Sequence, residues 1–203
     1  MNKEPEEKVK VEKEEPDTMG LAYSVEIKDK DGKVIQRISG PAHSYVRQFY
    51  EMMSVQARQE ALAGVVDTDG VARTITVNAV NFMCYAIAGV TLYGIRIGKG
   101  STAVTISDYC LESPLEEGVG VDQVNHLATT REVPAVVGTT SSFSILRAMV
   151  NNTAAIISAI REIGIYMRAY TSYYVLGVRD IVPSLSIPIG GTMSVKYTFS
   201  VTV

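Results

Sequence analysis

Residues 192–203 read TMSVKYTFSVTV, and this stretch decides the fold class. Its apolar and polar residues alternate without interruption, the apolar ones being Met193, Val195, Tyr197, Phe199, Val201 and Val203. A period of two places one row of apolar side chains on a single face of a β-strand. β-Branched and aromatic residues favour such a pleated surface, and Gly190-Gly191 supplies a turn in front of it. The stretch therefore predicts a core strand.

Similar patterns recur along the chain. Residues 21–28 and 34–38 alternate and are joined by a turn that ends in Asp31-Gly32, which is a strong hairpin signal. Further strands are predicted, each bounded by turn residues, within residues 65–77 (around Asp69-Gly70), 85–97 (one strand buried on both faces or a pair of strands), 141–150, 153–169 and 173–182. Many short strands with frequent turn signals predict an all-β fold, a jelly-roll-like β-sandwich.

The secondary structure of three segments is less clear from the sequence. Residues 153–169 fit a helix or a strand by pattern alone; their β-branched content and Gly164 favour a strand. Pro183 is expected to end the strand over residues 173–182. Residues 121–138 show no dominant period and predict irregular structure with at most one edge strand.

One long helix near the N-terminus is predicted over residues 41–62. Pro41 suits a first helical position and Ser39 could cap it. Apolar residues then recur at helical spacing, namely Val46, Phe49, Tyr50, Met53 and Ala57. We expect this helix to lie across a sheet or to close one end of it.

The charge is unevenly distributed. Residues 1–17 contain seven acidic and four basic residues, a net charge of −3, which equals that of all 203 residues. Residues 1–18 are therefore predicted to form a flexible charged arm, with a short helix of Glu/Lys pairs as the alternative, and residues 19–203 to form the β-sandwich domain. Because that domain is formally neutral, we expect no direct nucleic-acid contact and no membrane contact, and a tendency to assemble.

The chain shows no N-terminal apolar segment of the secretory kind, and its longest apolar stretch, around residues 80–90, is too short to span a bilayer. We therefore expect the protein to be made in a cytoplasm.

The candidates for chemistry are weak. Residues 94–101, GIRIGKGS, approach a phosphate-binding loop but are one residue short, so a surface turn is favoured. His43 is expected at the helix start and His126 in an exposed loop, too far apart for a triad or a metal site. Candidates of other kinds are a possible Ca²⁺ loop (Glu112, Glu116, Glu117, Asp122), two thiols (Cys84, Cys110) and a tyrosine cluster (Tyr166, Tyr170, Tyr173, Tyr174). A solvated acidic face, buried free thiols and tyrosine packing are the favoured interpretations. The sequence thus predicts no catalytic, cofactor-binding or metal-binding residue, and no enzyme.

Three short motifs carry a resemblance to a known family. Residues 43–49, HSYVRQF, follow a hairpin and resemble a helix opening of the form HSFVRNF. Residues 97–115, IGKGSTAVTISDYCLESPL, resemble a glycine-rich turn followed by TAV, then DY-x-L-x-x-P. Residues 151–153 (NNT), 162–166 (EIGIY) and 178–183 (VRDIVP) are similar to NNS, EIGLF and ARD-x-FP, ahead of a last sheet strand. The family comprises virion structural proteins of tailed phages and archaeal viruses. Met83-Cys84 and residues 131–137 match nothing in its pattern.

The resemblance implies a jelly-roll-like virion component, acting as a capsid, decoration, turret or tail protein and carrying no catalytic residues. The expected partners are further copies of this chain, as a homo-oligomer, and other virion proteins. Since Val201 to Val203 end the chain without a charge, we expect them to form an open sheet edge for that contact. The alternative is a carbohydrate- or receptor-binding β-sandwich with a host glycan or receptor as partner. Its sugar contacts would have to come from the tyrosines, because the chain has no tryptophan.

We predict that removing residues 1–17 leaves a folded subunit, because this segment has too little apolar surface to contribute to a core. Thermal unfolding followed by circular dichroism should remain cooperative in the truncated protein. Loss of the cooperative transition would contradict this prediction.

Overall fold

The computed structural model describes residues 18–42 and 44–203. Their elements, in chain order, are β1 (Thr18–Lys28), β2 (Val34–Pro41), α1 (Arg47–Arg58), β3 (Leu62–Val66), β4 (Ala72–Ile75), β5 (Gly94–Gly98), β6 (Glu116–Glu117), β7 (Gln123–His126), β8 (Thr130–Arg131), β9 (Ala135–Val137), β10 (Thr140–Val150), β11 (Ile157–Arg168), β12 (Tyr174–Ile187) and β13 (Thr192–Thr202). β1 begins at Thr18, the last residue of the predicted arm; residues 1–17 and His43 lie outside the described residues.

The strands form two sheets that pack against each other, so the prediction of an all-β sandwich is confirmed. The larger sheet has the order β2-β1-β13-β10-β7-β6, and β8 and β9 also pair with β10. The smaller sheet has the order β12-β11-β5, and β3 and β4 form a separate hairpin. The inner faces of both sheets, with α1, contribute to one continuous apolar core.

β13 is the centre of the larger sheet. It pairs antiparallel with β1 on one side and β10 on the other, which places Tyr197 between Tyr23 and Ile145. Met193, Val195 and Tyr197 are fully buried, which confirms the predicted core strand. The expectation of an open edge at Val201 to Val203 is wrong, because β13 is paired on both sides along its length up to Thr202.

One hydrogen bond inside the core joins the two sheets. The Tyr197 hydroxyl of β13 donates to Asp180 Oδ2 of β12 over 2.9 Å, and both residues are buried. Burial raises the pKa of Tyr197 well above its usual value, and the neighbouring Asp180 charge adds to this. The hydroxyl therefore stays protonated and acts as a donor.

Two hairpins use the same turn chemistry, D-x-D-G, as the Asp-Gly signals predicted. In the β1–β2 turn, Asp29 Oδ1 accepts hydrogen bonds from the backbone N–H groups of residues 31 and 33. In the β3–β4 turn, Asp67 Oδ1 does the same for residues 69 and 71. Gly32 and Gly70 have φ values of 80° and 78°, which glycine adopts without strain.

The helix is shorter than predicted. α1 covers 12 residues instead of residues 41–62, and Ser39 and Pro41 belong to β2. Its start has no side-chain cap, and Gln59 ends it in a left-handed conformation. The apolar face explains the position: Phe49, Met52 and Val55 are buried, whereas Tyr50 and Met53 are partly exposed. α1 packs against β12 and β3.

Several strand boundaries also differ. Residues 153–169 do form a strand, β11, but residues 85–97 supply only β5, and residues 121–138 supply β7, β8 and β9. Pro183 does not end a strand, because β12 continues to Ile187. β12 lies at the edge of the smaller sheet, where proline's missing N–H leaves no ladder partner unsatisfied.

A buried arginine holds the coil that precedes β5. Arg147 stands in the inward-facing row of β10, between Ile145 and Met149, and is fully buried. Its guanidinium donates to five backbone carbonyls: those of Leu127 (2.8 Å), Val90 (2.6 Å), Ile95 (3.1 Å), Ile87 (3.4 Å) and Tyr93 (3.5 Å). Burial, and then the nearby Arg96 charge, lower the pKa of Arg147 to about 10. The side chain remains a cation at neutral pH and fixes residues 87–95 against β10.

We predict that Arg147→Met lowers the free energy of unfolding by about 3 kcal/mol, because several buried carbonyls lose their donor. Urea denaturation measures the change. Arg161→Met is the matched control: Arg161 is exposed on β11, and its replacement should change stability by no more than about 0.5 kcal/mol. Equal effects of the two substitutions would contradict the prediction.

Candidate functional site

The glycine-rich loop after β5 encloses one of the protein's own carboxylates. Glu162 of β11 is fully buried and accepts hydrogen bonds from the backbone N–H groups of Gly100 (3.0 Å), Glu112 (3.0 Å) and Ser113 (2.7 Å). A Cβ at Gly100 would lie 2.6 Å from Glu162 Oε1, so glycine is needed for this approach. Glu112 Oε2 accepts from the N–H groups of residues 101 and 102. These N–H groups are therefore occupied by the protein's own carboxylates. The prediction of a surface turn over residues 94–101 is wrong for most of this stretch, because residues 94–98 form the buried strand β5 and Gly100 is buried as well.

Arg179 of β12 completes this buried network. Its Nε donates to Glu162 Oε2 over 3.1 Å and its Nη1 donates to Asp108 Oδ2 over 2.7 Å. Burial alone would raise the pKa of Asp108, but hydrogen bonds from Thr105 and Arg179 outweigh it and lower that pKa. Since each charged group faces a fixed partner, the network connects strands and loops and presents no free acid, base or nucleophile.

The three motifs that carry the family resemblance meet at this network. Asp108 and the glycine turn belong to the second motif, and Glu162 and Arg179 belong to the third. The first motif reaches it through the backbone, since the Ser44 carbonyl accepts a hydrogen bond from the Arg179 N–H. The motif residues therefore maintain the fold.

His126 is not in an exposed loop, as the sequence suggested; it belongs to β7 and is only 1% exposed. Its Nδ1 lies 3.0 Å from Glu117 Oε2, while Nε2 is buried without a hydrogen-bond partner. Burial is the main cause that lowers the pKa of His126 to about 4, and the Arg147 charge adds to it. The pair resembles the base and orienting acid of a triad, but the unpartnered Nε2 is enclosed and reaches no nucleophile.

The four acidic residues considered for Ca²⁺ are separated by their partners. Glu112 binds backbone amides, Glu116 pairs with Arg96, Glu117 binds His126, and Asp122 pairs with Lys99. Across residues 18–42 and 44–203, no three His, Cys, Asp or Glu side chains are grouped so that they could hold a metal ion.

The tyrosines do not form one platform. Tyr166 is buried and its hydroxyl accepts the Leu111 N–H. Tyr170 and Tyr173 stack on each other, and Arg73 covers the Tyr173 ring at 4.7 Å. Tyr174 stacks on Tyr93 instead. Because the four tyrosines are separated in this way, only a small aromatic surface is available for stacking against a sugar.

The two cysteines are free and half-buried, so they are more accessible than predicted. Burial raises the pKa of Cys84 to about 11, which makes it a weak nucleophile at neutral pH.

The most distinctive surface feature is an apolar groove between the two layers, with a volume of about 550 Å³. One wall is the end of the larger sheet, where Phe143 and Phe199 stack at 4.9 Å between ring centroids, beside Met19 and Val201. The opposite wall is formed by Phe49 and Met53 of α1, Phe82, Cys84 and the ends of β11 and β12. None of the fifteen lining residues that the structure describes is charged.

The groove exists because the larger sheet extends beyond the smaller one. The inward row of β13 is fully buried as far as Tyr197, whereas Val201 of the same row is 43% exposed. Beside this end lies β9, whose three residues Ala135, Val136 and Val137 are all exposed. The groove and β9 together form a continuous uncharged end of the sandwich, which we call the apolar end.

Sequence reasoning missed this end, although its residues carried a signal. The alternation in residues 192–203 extends two apolar positions beyond Phe199, and residues 133–137 are uncharged and apolar within a segment of no clear period. Apolar residues at one end of a sheet, beyond those needed for the core, indicate a contact surface.

Comparison with family models, with characterised proteins and with solved structures gives no match to this chain. Within the described residues, no helix is long and apolar enough to cross a membrane. Function must therefore be inferred from the residues themselves.

We predict that stability falls as the pH is lowered from about 6.5 to about 4. The pKa of His126 drops from 6.5 in the unfolded chain to about 4 in the fold, so the unfolded state binds a proton that the folded state does not. The stabilisation is complete above pH 6.5 and is lost toward pH 4, by roughly 3 kcal/mol at most. Urea titrations at several pH values measure it.

His126→Asn removes the titrating group and should flatten this pH dependence. Gln123→Asn, on the same strand β7, is the control: it removes no titrating group and should leave the pH dependence unchanged. An unaltered slope in His126→Asn would show that other groups cause the acid sensitivity.

Proposed function

We propose that this protein is a non-enzymatic structural component of a virus particle, in a capsid, decoration, turret or tail, and that it self-assembles there. The observation that carries the proposal is the uncharged edge strand β9. Val136 and Val137 are 72% and 80% exposed, and β9 pairs with β10 on one side only among the described strands. An open edge without protective charge favours pairing with another chain.

The opposite edge of the larger sheet differs in charge. β2 carries Arg37, which pairs with Glu26 on β1, and follows Lys33. Charged side chains along an edge oppose strand addition. This contrast favours β9 as the contact between copies of the chain.

Two further features support a virion role. The motifs that resemble the virion family build the buried network around Glu162 and Arg179, as expected for residues that maintain a scaffold. A jelly-roll-like arrangement is consistent with β1 and β13 being neighbours in one sheet while β12, which precedes β13, lies in the other. Homo-oligomers and contacts with other virion proteins are the partners we propose, after synthesis in a host cytoplasm.

We predict that purified protein forms homo-oligomers and that Val136→Lys shifts them toward monomers, so that assembly needs at least about tenfold more protein. A lysine beside the open edge introduces charge repulsion between copies. Light scattering and sedimentation across a concentration series measure the shift.

Ile35→Lys on β2 is the matched control: Ile35 is also an exposed apolar residue of an edge strand, and its replacement should leave assembly unchanged. Circular dichroism checks that both variants fold. A wild-type protein that stays monomeric at high concentration, in salt similar to that of a particle, would refute the self-assembly proposal.

A further inference from the structure

We propose that the apolar groove binds a single aliphatic chain that ends in a carboxylate, as in a medium-chain fatty acid. The groove adjoins the proposed assembly contact at β9, but binding there needs no second copy of the chain and can be measured on one subunit. The groove volume of about 550 Å³ lies within the range of small-molecule sites, and a largely apolar lining with few polar groups is typical of them.

The lining selects an occupant without internal polar groups. β10 and β13 pair with each other along Ser141 to Phe143 and Phe199 to Val201, so the backbone of this wall is engaged within the sheet. A peptide strand placed in the groove would leave its own N–H and C=O groups unsatisfied, which costs several kcal/mol per group in apolar surroundings. An aliphatic chain has no such groups.

The lining includes both accessible and enclosed side chains. Met19, Met53 and Val201 are half-exposed, whereas Ile165, Met167 and Val178 are buried. A ligand in the groove would therefore contact core residues as well as surface residues. Methionines occur on both walls, and their flexible side chains adapt to ligands of variable shape.

Arg131 is the cation that we propose for the carboxylate, because it is close in the chain to the groove residue Pro134 and contacts the residue that follows Cys84. Arg131 of β8 is exposed, and its guanidinium lies 4.8 Å from the centre of the Tyr85 ring. Tyr85 directly follows the groove residue Cys84 in the chain, and Arg131 precedes the groove residue Pro134 by three positions. Among residues 18–42 and 44–203, no carboxylate lies within 4.0 Å of the Arg131 guanidinium. An uncharged groove, together with a nearby arginine that has no acidic partner among the described residues, would complement an anionic amphiphile.

Calorimetric titration with dodecanoate below its micellar concentration tests the proposal. We expect saturable binding of one molecule per subunit. Met53→Glu places a charge in the groove wall and should weaken binding at least tenfold. Tyr50→Glu is the matched control, because Tyr50 lies on the same helix, is similarly exposed and does not line the groove; its affinity should stay within twofold of wild type.

Two further measurements locate the ligand. Arg131→Gln should weaken dodecanoate binding up to fivefold and leave the affinity for dodecan-1-ol unchanged. In the wild-type protein, dodecanoate should slow maleimide modification of Cys84, which lines the groove, and not of Cys110, which does not. The thiol measurement needs no substitution, so it decides the question even if Met53→Glu fails to fold.

Several outcomes would overturn the proposal. These are absence of saturable dodecanoate binding, equal weakening by Met53→Glu and Tyr50→Glu, or equal protection of both thiols. Binding to phosphatidylcholine vesicles without binding of monomeric dodecanoate would also overturn it, in favour of a membrane-docking surface.

Discussion

The ion pair between Glu162 and Arg179 is the interaction on which the rest of the structure depends. It joins the adjacent strands β11 and β12. The carboxylate of Glu162 also accepts hydrogen bonds from backbone N–H groups in the loop between β5 and β6. A buried charge must be matched at every lone pair and proton, or it destabilises the fold strongly. Here the loop's own backbone N–H groups supply that match. The long coil of residues 99–115 is therefore ordered by a carboxylate in the sheet, without regular structure of its own.

Much of the fold could be predicted because its cause is local. Alternation in residues 192–203 and the two D-x-D-G turns depend only on neighbours in sequence, and they correspond to β13 and to the hairpins β1–β2 and β3–β4. Residues 85–93 looked like a strand because they are apolar, but their carbonyls are satisfied by Arg147, a residue more than fifty positions away. The burial of His126 has the same origin, since the pairing of β7 with β10 places it opposite the buried Met149. Long-range partners of this kind leave no mark in the local pattern.

The candidate site was accessible to sequence reasoning only in part. The sequence contains no recognisable catalytic constellation, and its local patterns do not distinguish one surface of the sandwich from another. The apolar end depends on a difference in length between two sheets, and that difference follows from where β11 and β12 end relative to β13. Charged side chains occur on α1 and on β1, β2, β11 and β12, whereas none lines the groove. The surface of the molecule is therefore chemically asymmetric.

The central position of β13 has a consequence for biosynthesis. Because β1 and β10 both pair with it, the larger sheet is incomplete until the strand that leaves the ribosome after all the others has emerged. During translation, β1 remains without this neighbour for most of the synthesis of the chain, and β10 remains without it until residues 192–202 are made. Contacts between such distant segments also make folding slow. Nascent chains of this protein would therefore be natural clients of chaperones, and a chain cut short before β13 would be a substrate for proteases.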